Sequence, residues 1–340
     1  MRDTYENFGK IYIDKFNRNW NSYVKHLRYK QHQLLVGNRL RPCIVLGGYL
    51  ANFPTLKITD EEYNYIINIS ICVEIIHKVS LFLDDWIDND NYRHGVSSFH
   101  IEYGVERTVM YALNLISMAI KKLRDTLNES SLSDSLRTKV LDTFLNTLYD
   151  MSLGELEELD LDYSSRLDIS KIKKIMELET TPLIANSFLI GYFAGGGNEP
   201  FVEKNLHSIG GQCGYIFQAL NDLEPFFNTK GNVEHKGKEN IDFDRSKKNI
   251  AVSLLYKLLS KAEKDSIILS TPEDVNELLK KYMKKYGIKE TVYQEVNVMK
   301  DSIHQKVIEL FDYGINKDWC DLLSYFIDGI IQKCRSRVVD

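Results

Sequence analysis

The chain has 340 residues, only 6 of them proline and 19 glycine, and carries a formal net charge of −5 at pH 7. Scarce proline together with abundant Leu, Ile, Lys and Glu favours helices, and the negative net charge argues against nucleic acid as a primary partner. The five cysteines are scattered without a CxxC pair, which indicates free thiols in a reducing compartment rather than a zinc site or a disulfide framework.

Apolar residues recur at helical spacing through nearly the whole chain, which predicts an all-α protein. Thr59 or Asp60 caps the start of one long helix, and Pro272 begins another with acidic residues behind it. No strand pattern and no dividing linker is evident, so residues 1–340 are predicted to form one all-α domain. In chain order, helices are predicted over residues 4–30, 40–53, 60–88, 105–127, 133–159, 170–194, 200–227, 248–267, 272–286 and 288–312.

The N-terminal segment and the apolar runs bear on localisation. The first ten residues are polar and charged, without the apolar stretch of a signal peptide. No uncharged apolar run approaches the ~18 residues of a membrane span. We therefore expect a cytoplasmic protein that is not an integral membrane protein.

Three aspartates at the end of a long apolar segment carry the clearest chemical signal. Asp84 and Asp88 lie four residues apart and therefore share a face of a helix, whereas Asp85 lies about 100° around the axis and flanks the same site. Carboxylates this close repel one another unless a cation relieves them. Mg²⁺ takes oxygen ligands and completes its shell with water and phosphate oxygens, so this helix end predicts a Mg²⁺–diphosphate site.

Cationic residues surround this segment in the sequence. Arg39 and Arg41 lie upstream beside a helix start, and a guanidinium suits phosphate oxygens. His77 lies on the aspartate helix itself, and Arg93 and His94 follow the aspartates closely. These residues are predicted to bind the diphosphate that the metal also holds.

A second polar helix end lies far downstream. Asn221 and Asp222 end an apolar helix and are predicted as further metal ligands, with Gln218 one turn earlier as a candidate for orienting a diphosphate. The polar stretch 228–247 that follows is too long for an idle connection and contains Lys238 and Lys247. Two acidic helix ends, each followed by cations, predict a cage for a metal-bound diphosphate.

These motifs resemble the trans-isoprenyl diphosphate synthases, the farnesyl and geranylgeranyl diphosphate synthase group within the polyprenyl synthetases. The resemblance spans roughly residues 36–250, with all pieces in the family's order. It implies an all-helical bundle around a central apolar cavity, with two aspartate-rich helix ends facing each other across its mouth. The matching segments are NRLRP, EIIHKVSLFLDDWIDNDNYRHG, LGELEELD, ETTPL, FQALND and GKENIDFDRSKK.

The resemblance also implies the reaction and its ligands. Three Mg²⁺ ions would bind the diphosphate group of an allylic prenyl diphosphate. This substrate would ionise, and the double bond of isopentenyl diphosphate would attack the resulting cation. Asp84, Asp85, Asp88 and Asp222 would be catalytic. The substrate-binding residues would be Arg39, Arg41, His77, Arg93, His94, Thr180, Gln218, Lys238 and Lys247. A homodimer, or a heteromer with another synthase, is expected.

Several positions depart from the family pattern. Asn38 stands where the family has a lysine that grips isopentenyl diphosphate, and His94 stands where it has an arginine. Glu179 reverses the charge of a lysine before Thr180. The second aspartate motif is changed to Asn221-Asp222-Leu223-Glu224-Pro225, in which Glu224 substitutes for a lost carboxylate only if Pro225 distorts the helix end.

Three functions remain compatible with these departures. The first is an elongating synthase; the second is a terpene synthase of the same fold, which ionises an allylic diphosphate and cyclises or quenches the cation; the third is a regulatory subunit of a prenyl synthase. The fourth and fifth residues before Asp84, Ser80 and Val79, are not aromatic. Bulky residues just before the first aspartate motif block the cavity floor in the family that the chain resembles. The resemblance therefore implies an open floor here and a product of about twenty carbons, unless Met110 or Tyr111 blocks it.

Overall fold

Helices begin where the sequence supplies hydrogen-bond acceptors for their first turn. In the computed structural model, which describes residues 2–29, 32–93, 95–162, 167–227 and 248–338, the predicted cap at Thr59 is confirmed. Thr59 Oγ1 accepts a hydrogen bond from the Glu62 backbone N–H at 3.2 Å, and the Glu62 side chain accepts one from the Thr59 backbone N–H at 2.6 Å. This reciprocal arrangement satisfies two backbone donors at once, which fixes where the aspartate helix begins.

The described chain is almost entirely helical, which confirms the predicted all-α class. A short antiparallel hairpin, β1 (Tyr92–Arg93) and β2 (Val96–Ser97), follows the aspartate helix. The helices are α1 (Arg2–Lys25), α2 (His32–Leu35), α3 (Leu40–Leu50), α4 (Asp60–Ile87), α5 (Phe99–Tyr103), α6 (Val105–Asn128), α7 (Asp134–Leu159), α8 (Ile169–Glu179), α9 (Thr181–Ala194), α10 (Pro200–Phe227), α11 (Ile250–Leu258), α12 (Lys261–Ile268), α13 (Pro272–Lys285), α14 (Ile288–Tyr313) and α15 (Lys317–Arg335).

Two of the predicted helices were wrong, because each is divided in the structure. The helix predicted over 170–194 is two helices: α8 ends at Glu179, and α9 begins at Thr181 with Pro182 in its first turn. The helix predicted over 248–267 is divided at Leu259, whose backbone is extended, and Ser260 caps the next segment. The hairpin and the helices α2, α5 and α15 were not predicted.

Two helices form the centre of the bundle. Every residue of α4 from Ile69 to Ile76 is buried, as is every residue of α9 from Pro182 to Ala194. Helix α4 packs against α3, α6 and α9, while α9 packs against α3, α7 and α10. A helix that is apolar on all sides belongs in the interior of a large protein, and here the two helices place their polar ends beside one cavity.

Two glycines let α3 and α9 approach each other closely. A Cβ atom at Gly48 would lie 2.0 Å from the Phe188 carbonyl oxygen, and one at Gly191 would lie 1.9 Å from the Val45 carbonyl oxygen. Both distances are far below van der Waals contact, so only glycine permits this backbone contact. The same two helices contribute Arg41 and Leu183 to the lining of the cavity.

Helix α4 is also long and apolar enough to cross a membrane by length and composition. However, 72% of its apolar window is buried inside the bundle. Burial of this extent is what the core helix of a helical bundle requires. The other described helices do not pass the same test.

Candidate active site

A cavity of about 960 Å³ lies among α3, α4, α7, α9, α10 and α15. Its walls carry apolar side chains from α4, α6 and α7, including Val79, Ile116 and Leu148. Polar and charged side chains come from helix ends, among them Asp84, Asp88, Glu155, Thr180, Asn221 and Asp222. Most of the predicted site residues in the described part of the chain therefore meet in one place.

Asp84 and Asp88 line the cavity one turn apart, as their spacing predicted. The Asp88 backbone N–H donates to the Asp84 carbonyl at 2.8 Å, so both side chains stand on the final turn of α4. The Asp84 side chain is 44% exposed. Its carboxylate is therefore accessible from the cavity as well as paired with Arg93.

Asp85 lies elsewhere than predicted. Its side chain is fully buried and does not line the cavity. Its Oδ1 accepts hydrogen bonds from Arg93, whose Nη2 also donates to Asp84 Oδ2 at 2.8 Å. Burial alone would lower the pKa of Arg93, but Asp85 and Asp84 raise it above its ordinary value. Asp85 thus holds a permanently charged guanidinium at the cavity wall.

The second polar helix end is partly engaged within the protein. Asp222 is buried, and its Oδ2 accepts a hydrogen bond from the Ile250 backbone N–H at 2.8 Å. Its Oδ1 accepts one from Gln218 Nε2 at 2.7 Å, and Gln218 in turn accepts one from Thr180 Oγ1 at 3.1 Å. Asp222 thereby ties the end of α10 to the first turn of α11, in addition to lining the cavity.

Glu224 also lines the cavity, together with Asn221. Helix α10 continues through Pro225 to Phe227, so the proline does not end the helix. Arg337, beyond the end of α15, lies 3.8 Å from Glu224 and also lines the cavity. The three oxygen-bearing side chains at this helix end are therefore Asn221, Asp222 and Glu224.

Glu179, which stands where the family has a lysine, forms an ion pair within the protein. Lys248 forms ion pairs with both Glu158 and Glu179, and its side chain is only 8% exposed. Burial raises the pKa of Glu179 well above its ordinary value, although Lys248 opposes the shift. Burial opposes ionisation of Lys248 as well, but Glu179 and Glu158 raise its pKa. The three side chains form one buried, hydrogen-bonded ionic cluster at the cavity wall.

A group of cations lies where α3 meets α4. Arg41, His77 and Lys78 line the cavity there, beside Gly37 and Asn38. Burial, reinforced by the charges of Arg41 and Lys78, holds the pKa of His77 well below its ordinary value, so the imidazole is neutral at pH 7. Burial also lowers the pKa of Arg41, which the guanidinium tolerates because its ordinary pKa is so high.

Arg39 is placed away from the cavity, in contrast to its predicted role. Its guanidinium donates to Glu74 at 2.8 Å, to the Leu35 carbonyl at 2.6 Å and to Asn17 at 2.9 Å. These buried contacts join α1, the segment before α3 and α4, so the side chain stabilises the fold. The predicted residues His94, Lys238 and Lys247 lie outside the described residues.

The donor atoms suit a hard divalent cation. Asp84 and Asp88 face the same cavity as Asn221 and Glu224, and all offer oxygen, as Mg²⁺ prefers. In the described ranges, the three carboxylates whose oxygens lie within 4.8 Å of one another are instead Glu155, Glu158 and Glu179. Asp84 and Asp88 would hold such an ion together with oxygens from water and substrate, since they do not form a closed cluster of this kind within the described ranges.

Sequence reasoning missed Lys78, Lys333 and Arg337. A lysine in the otherwise apolar run around His77, four residues after Glu74, was a signal that something must satisfy its charge. Lys333 and Arg337 come from the last helix and the turn after it, which were not predicted to reach the cavity. No local pattern indicates that long-range contact.

The fold is thus an all-α bundle in which two acidic helix ends and several cations line one cavity. The family model described as polyprenyl synthetase matches residues 25–286. The chain belongs to the polyprenyl synthetase family. The family resemblance inferred from the motifs is thereby confirmed.

Relatives in the family are prenyl diphosphate synthases, which are transferases. The chain is 28% identical over 239 residues to farnesyl diphosphate synthase of Buchnera aphidicola, covering 66% of this chain and 78% of that protein. It is 28% identical over 240 residues to geranylgeranyl diphosphate synthase of Saccharolobus solfataricus (69% and 67%), and 26% identical over 243 residues to heptaprenyl diphosphate synthase component 2 of Bacillus subtilis (72% and 64%).

Solved structures share the fold along nearly the whole chain. The geranylgeranyl pyrophosphate synthetase of Pyrococcus horikoshii superposes with a TM-score of 0.79 at 19% identity, covering 97% of this chain and 99% of that one. A geranylgeranyl pyrophosphate synthase from Corynebacterium glutamicum, complexed with isoprenyl diphosphate and magnesium, gives a TM-score of 0.77 at 18% identity, covering 96% and 98%. The isoprenoid-synthase-type bundle with a central cavity is therefore confirmed.

Proposed function

We propose that this protein is a Mg²⁺-dependent prenyltransferase that condenses an allylic prenyl diphosphate with isopentenyl diphosphate. The observation that carries the proposal is the meeting of Asp84, Asp88, Asn221 and Glu224 with Arg93 in one largely apolar cavity. Residues 1–340 act as one domain, because the walls of this cavity come from helices throughout the chain, from α3 to α15.

Each residue has a defined part in this reaction. Bound Mg²⁺, held by Asp84, Asp88 and the Asn221 helix end, would neutralise charge on the leaving diphosphate. Arg93, fixed by Asp84 and Asp85, donates to the oxygens of that diphosphate as the allylic C–O bond breaks. The double bond of isopentenyl diphosphate forms the new C–C bond, and loss of a proton completes a chain five carbons longer. The apolar side chains of α4, α6 and α7 exclude water from the cation.

A terpene synthase is the second candidate, and two observations favour it. Lys248 is paired with Glu179, and Asn221 stands where the family's second aspartate motif has a carboxylate. The second metal-binding helix end, at Asn221 and Asp222, is therefore weakened. Incubation with Mg²⁺ and farnesyl diphosphate, with and without isopentenyl diphosphate, decides between the two. Chain growth that requires isopentenyl diphosphate supports the synthase, whereas hydrocarbon or alcohol from the allylic diphosphate alone overturns it. If the protein has no turnover by itself but activates a partner synthase, it is a regulatory subunit.

The product is proposed to have about twenty carbons. Val79 is buried and lines the cavity, as do Ile76 and Ser80, so no aromatic ring closes the floor on this face of α4. Met110 is largely exposed and Tyr111 donates its hydroxyl to the Tyr29 carbonyl outside the cavity lining. Neither of the two alternative blocking residues reaches the floor.

Val79→Phe should shift the products toward shorter chains, because a phenyl ring would fill the space that the growing tail occupies. Chromatography of the dephosphorylated products after incubation with isopentenyl diphosphate measures the shift. Val298→Phe, at an exposed position of α14, is the matched control and should leave the profile unchanged. The floor assignment is wrong if Val79→Phe and Val298→Phe give the same products as the unaltered protein.

The partner is proposed to be a second copy of this chain. Large apolar side chains are exposed on α6 (Met110, Leu113) and along one face of α7 (Leu145, Tyr149). Exposed apolar patches of this kind mark interaction surfaces. The relative named as component 2 of its enzyme also makes a heteromer with another synthase a possible outcome.

We place the protein in the cytoplasm, since all five cysteines are free.

Leu145→Glu combined with Tyr149→Glu should convert a dimer to a monomer, because two buried charges at an apolar interface have no partners. Light scattering after size-exclusion chromatography measures the mass. Leu269→Glu, at a strongly exposed position after α12, should leave the mass unchanged. An unaltered dimer in the double variant would exclude this face, and a monomer in the unaltered protein would favour a heteromer.

A further inference from the structure

Lys78 is a charged residue inside the most deeply buried helix of the bundle. Its side chain is only 3% exposed, and it lines the cavity between His77 and Val79. Its Nζ donates to the Val36 carbonyl at 2.6 Å and lies 3.1 Å from where a Cβ at Gly37 would be. The ammonium therefore sits against the backbone of residues 36–38, although it comes from α4.

The charges around this ammonium do not balance. Glu74 is the carboxylate that raises the pKa of both Lys78 and Arg41. However, Glu74 already forms a 2.8 Å ion pair with Arg39, whereas its Oε1 lies 3.9 Å from Lys78 Nζ. One carboxylate thus faces three buried cations. Burial and the neighbouring cations lower the pKa of Lys78 to about 8 despite Glu74.

Arg41 provides a second, independent indication of an anion. Its side chain is buried and lines the same part of the cavity, and its Nε has no hydrogen-bond partner within the described part of the chain. A buried guanidinium N–H without a partner costs free energy unless a ligand accepts from it. Lys78 and Arg41 together present two positive charges and several donors, a combination suited to a diphosphate.

The position along α4 separates this anion from the one at the aspartates. Lys78 precedes Asp84 by six residues, which corresponds to about 9 Å along the helix axis at 1.5 Å per residue. Two diphosphates can therefore occupy the cavity together, one at the aspartates and one at Lys78 and Arg41. An allylic diphosphate needs the metal ligands, so the second anion belongs to the acceptor substrate.

We propose that Lys78 is a specificity-determining residue that binds the diphosphate of isopentenyl diphosphate, supplying from α4 the positive charge that Asn38 does not supply from its own loop. The proposal rests on the proposed function. It explains how a chain with an amide at position 38 keeps a cationic acceptor site. The charge comes from α4 instead of from the loop before α3, and the ammonium lies beside the backbone of that same loop.

Steady-state kinetics of the full-length protein tests the proposal. Lys78→Met, which keeps the length and removes the charge, should raise the KM for isopentenyl diphosphate by about 10- to 100-fold. The KM for farnesyl diphosphate should stay within about twofold. Lys78→Arg should retain most of the affinity, and Asn38→Lys combined with Lys78→Met should recover it. Lys139→Met, outside the cavity lining, is the control for loss of a lysine.

A purely structural role makes different predictions. If Lys78 only anchors the Val36 carbonyl, both KM values should rise together and Asn38→Lys should not restore the first. That result, or an isopentenyl diphosphate KM unchanged in Lys78→Met, overturns the proposal while leaving the proposed function intact. Circular dichroism and thermal melting establish that the variants are folded, and the double variant keeps the test valid if Lys78→Met alone is unstable.

A binding measurement separates this proposal from the proposed function. If the unaltered protein does not elongate farnesyl diphosphate, calorimetric titration with isopentenyl diphosphate still reports on the acceptor site. Binding that is lost in Lys78→Met and recovered with Asn38→Lys supports the role of Lys78 even though the elongation activity fails. Equal binding by both proteins, or binding by neither, overturns it.

Discussion

Replacing Asp84 with alanine should lower kcat by about 10²- to 10³-fold or more, because the leaving diphosphate loses the charge stabilisation held at the end of α4. Arg93 pairs with two carboxylates, and of these the one on Asp84 is exposed whereas the one on Asp85 is buried. The measurement is product formation from farnesyl and isopentenyl diphosphates at saturating Mg²⁺. Excess Mg²⁺ should not restore the rate, since a metal ligand is missing.

Two further variants separate loss of the metal from loss of the fold. Asp84→Asn keeps the size of the side chain and an oxygen that accepts from Arg93, yet it removes the charge, so its kcat should fall nearly as far. Asp125→Ala removes an exposed aspartate that pairs with Arg124 on α6 and should have no effect on kcat. Turnover close to normal in Asp84→Asn would exclude a metal-binding role for this carboxylate.

Replacing Lys248 with methionine should destabilise the protein by about 3–5 kcal/mol at pH 8, because Glu158 and Glu179 would remain buried without their cation. The loss should shrink as the pH falls toward 5. Without Lys248, the pKa of each glutamate in the folded protein lies above its value in the unfolded chain. The stability that these two carboxyl groups contribute is then fully present below their pKa in the unfolded chain. It is lost as the pH rises through their pKa in the folded protein.

Urea unfolding of the unaltered protein and of the variant at pH 5 and pH 8 measures this difference. Glu179→Gln combined with Lys248→Met should recover much of the stability at pH 8, since one buried charge is removed with the other. Lys174→Met is the matched control, because Lys174 forms an exposed pair with Glu157 that contributes only about 0–1 kcal/mol. A loss in Lys248→Met that does not change with pH would contradict the ionic-cluster explanation.

The sequence predicted most of the helices because their signals are local. The cap at Thr59 and the four-residue spacing of Asp84 and Asp88 depend on neighbours within one turn, and both are found in the structure. The break at Pro182 was missed because apolar periodicity continues through it, so the pattern does not distinguish one long helix from two.

The parts of the site that the sequence did not reveal depend on distant contacts. Lys248 lies about ninety residues from Glu158 in the chain, and their pairing depends on α8, which packs against both α7 and α11. Asp85 was predicted beside the metal because its angle on the helix permits that position. Whether it faces the cavity or Arg93 depends on the hairpin, which carries Arg93 and was not predicted.

The glycine contact between α3 and α9 has a consequence for how this enzyme can change its product. Gly48 and Gly191 bring the two backbones together, so a larger residue at either position would force the two main chains apart. The cavity lining from α4 and α6, which includes Val79 and Ile116, consists of side chains that substitution can enlarge or reduce. Changes in product length should therefore come from substitutions on α4, α6 and α7, while the α3–α9 contact stays constant.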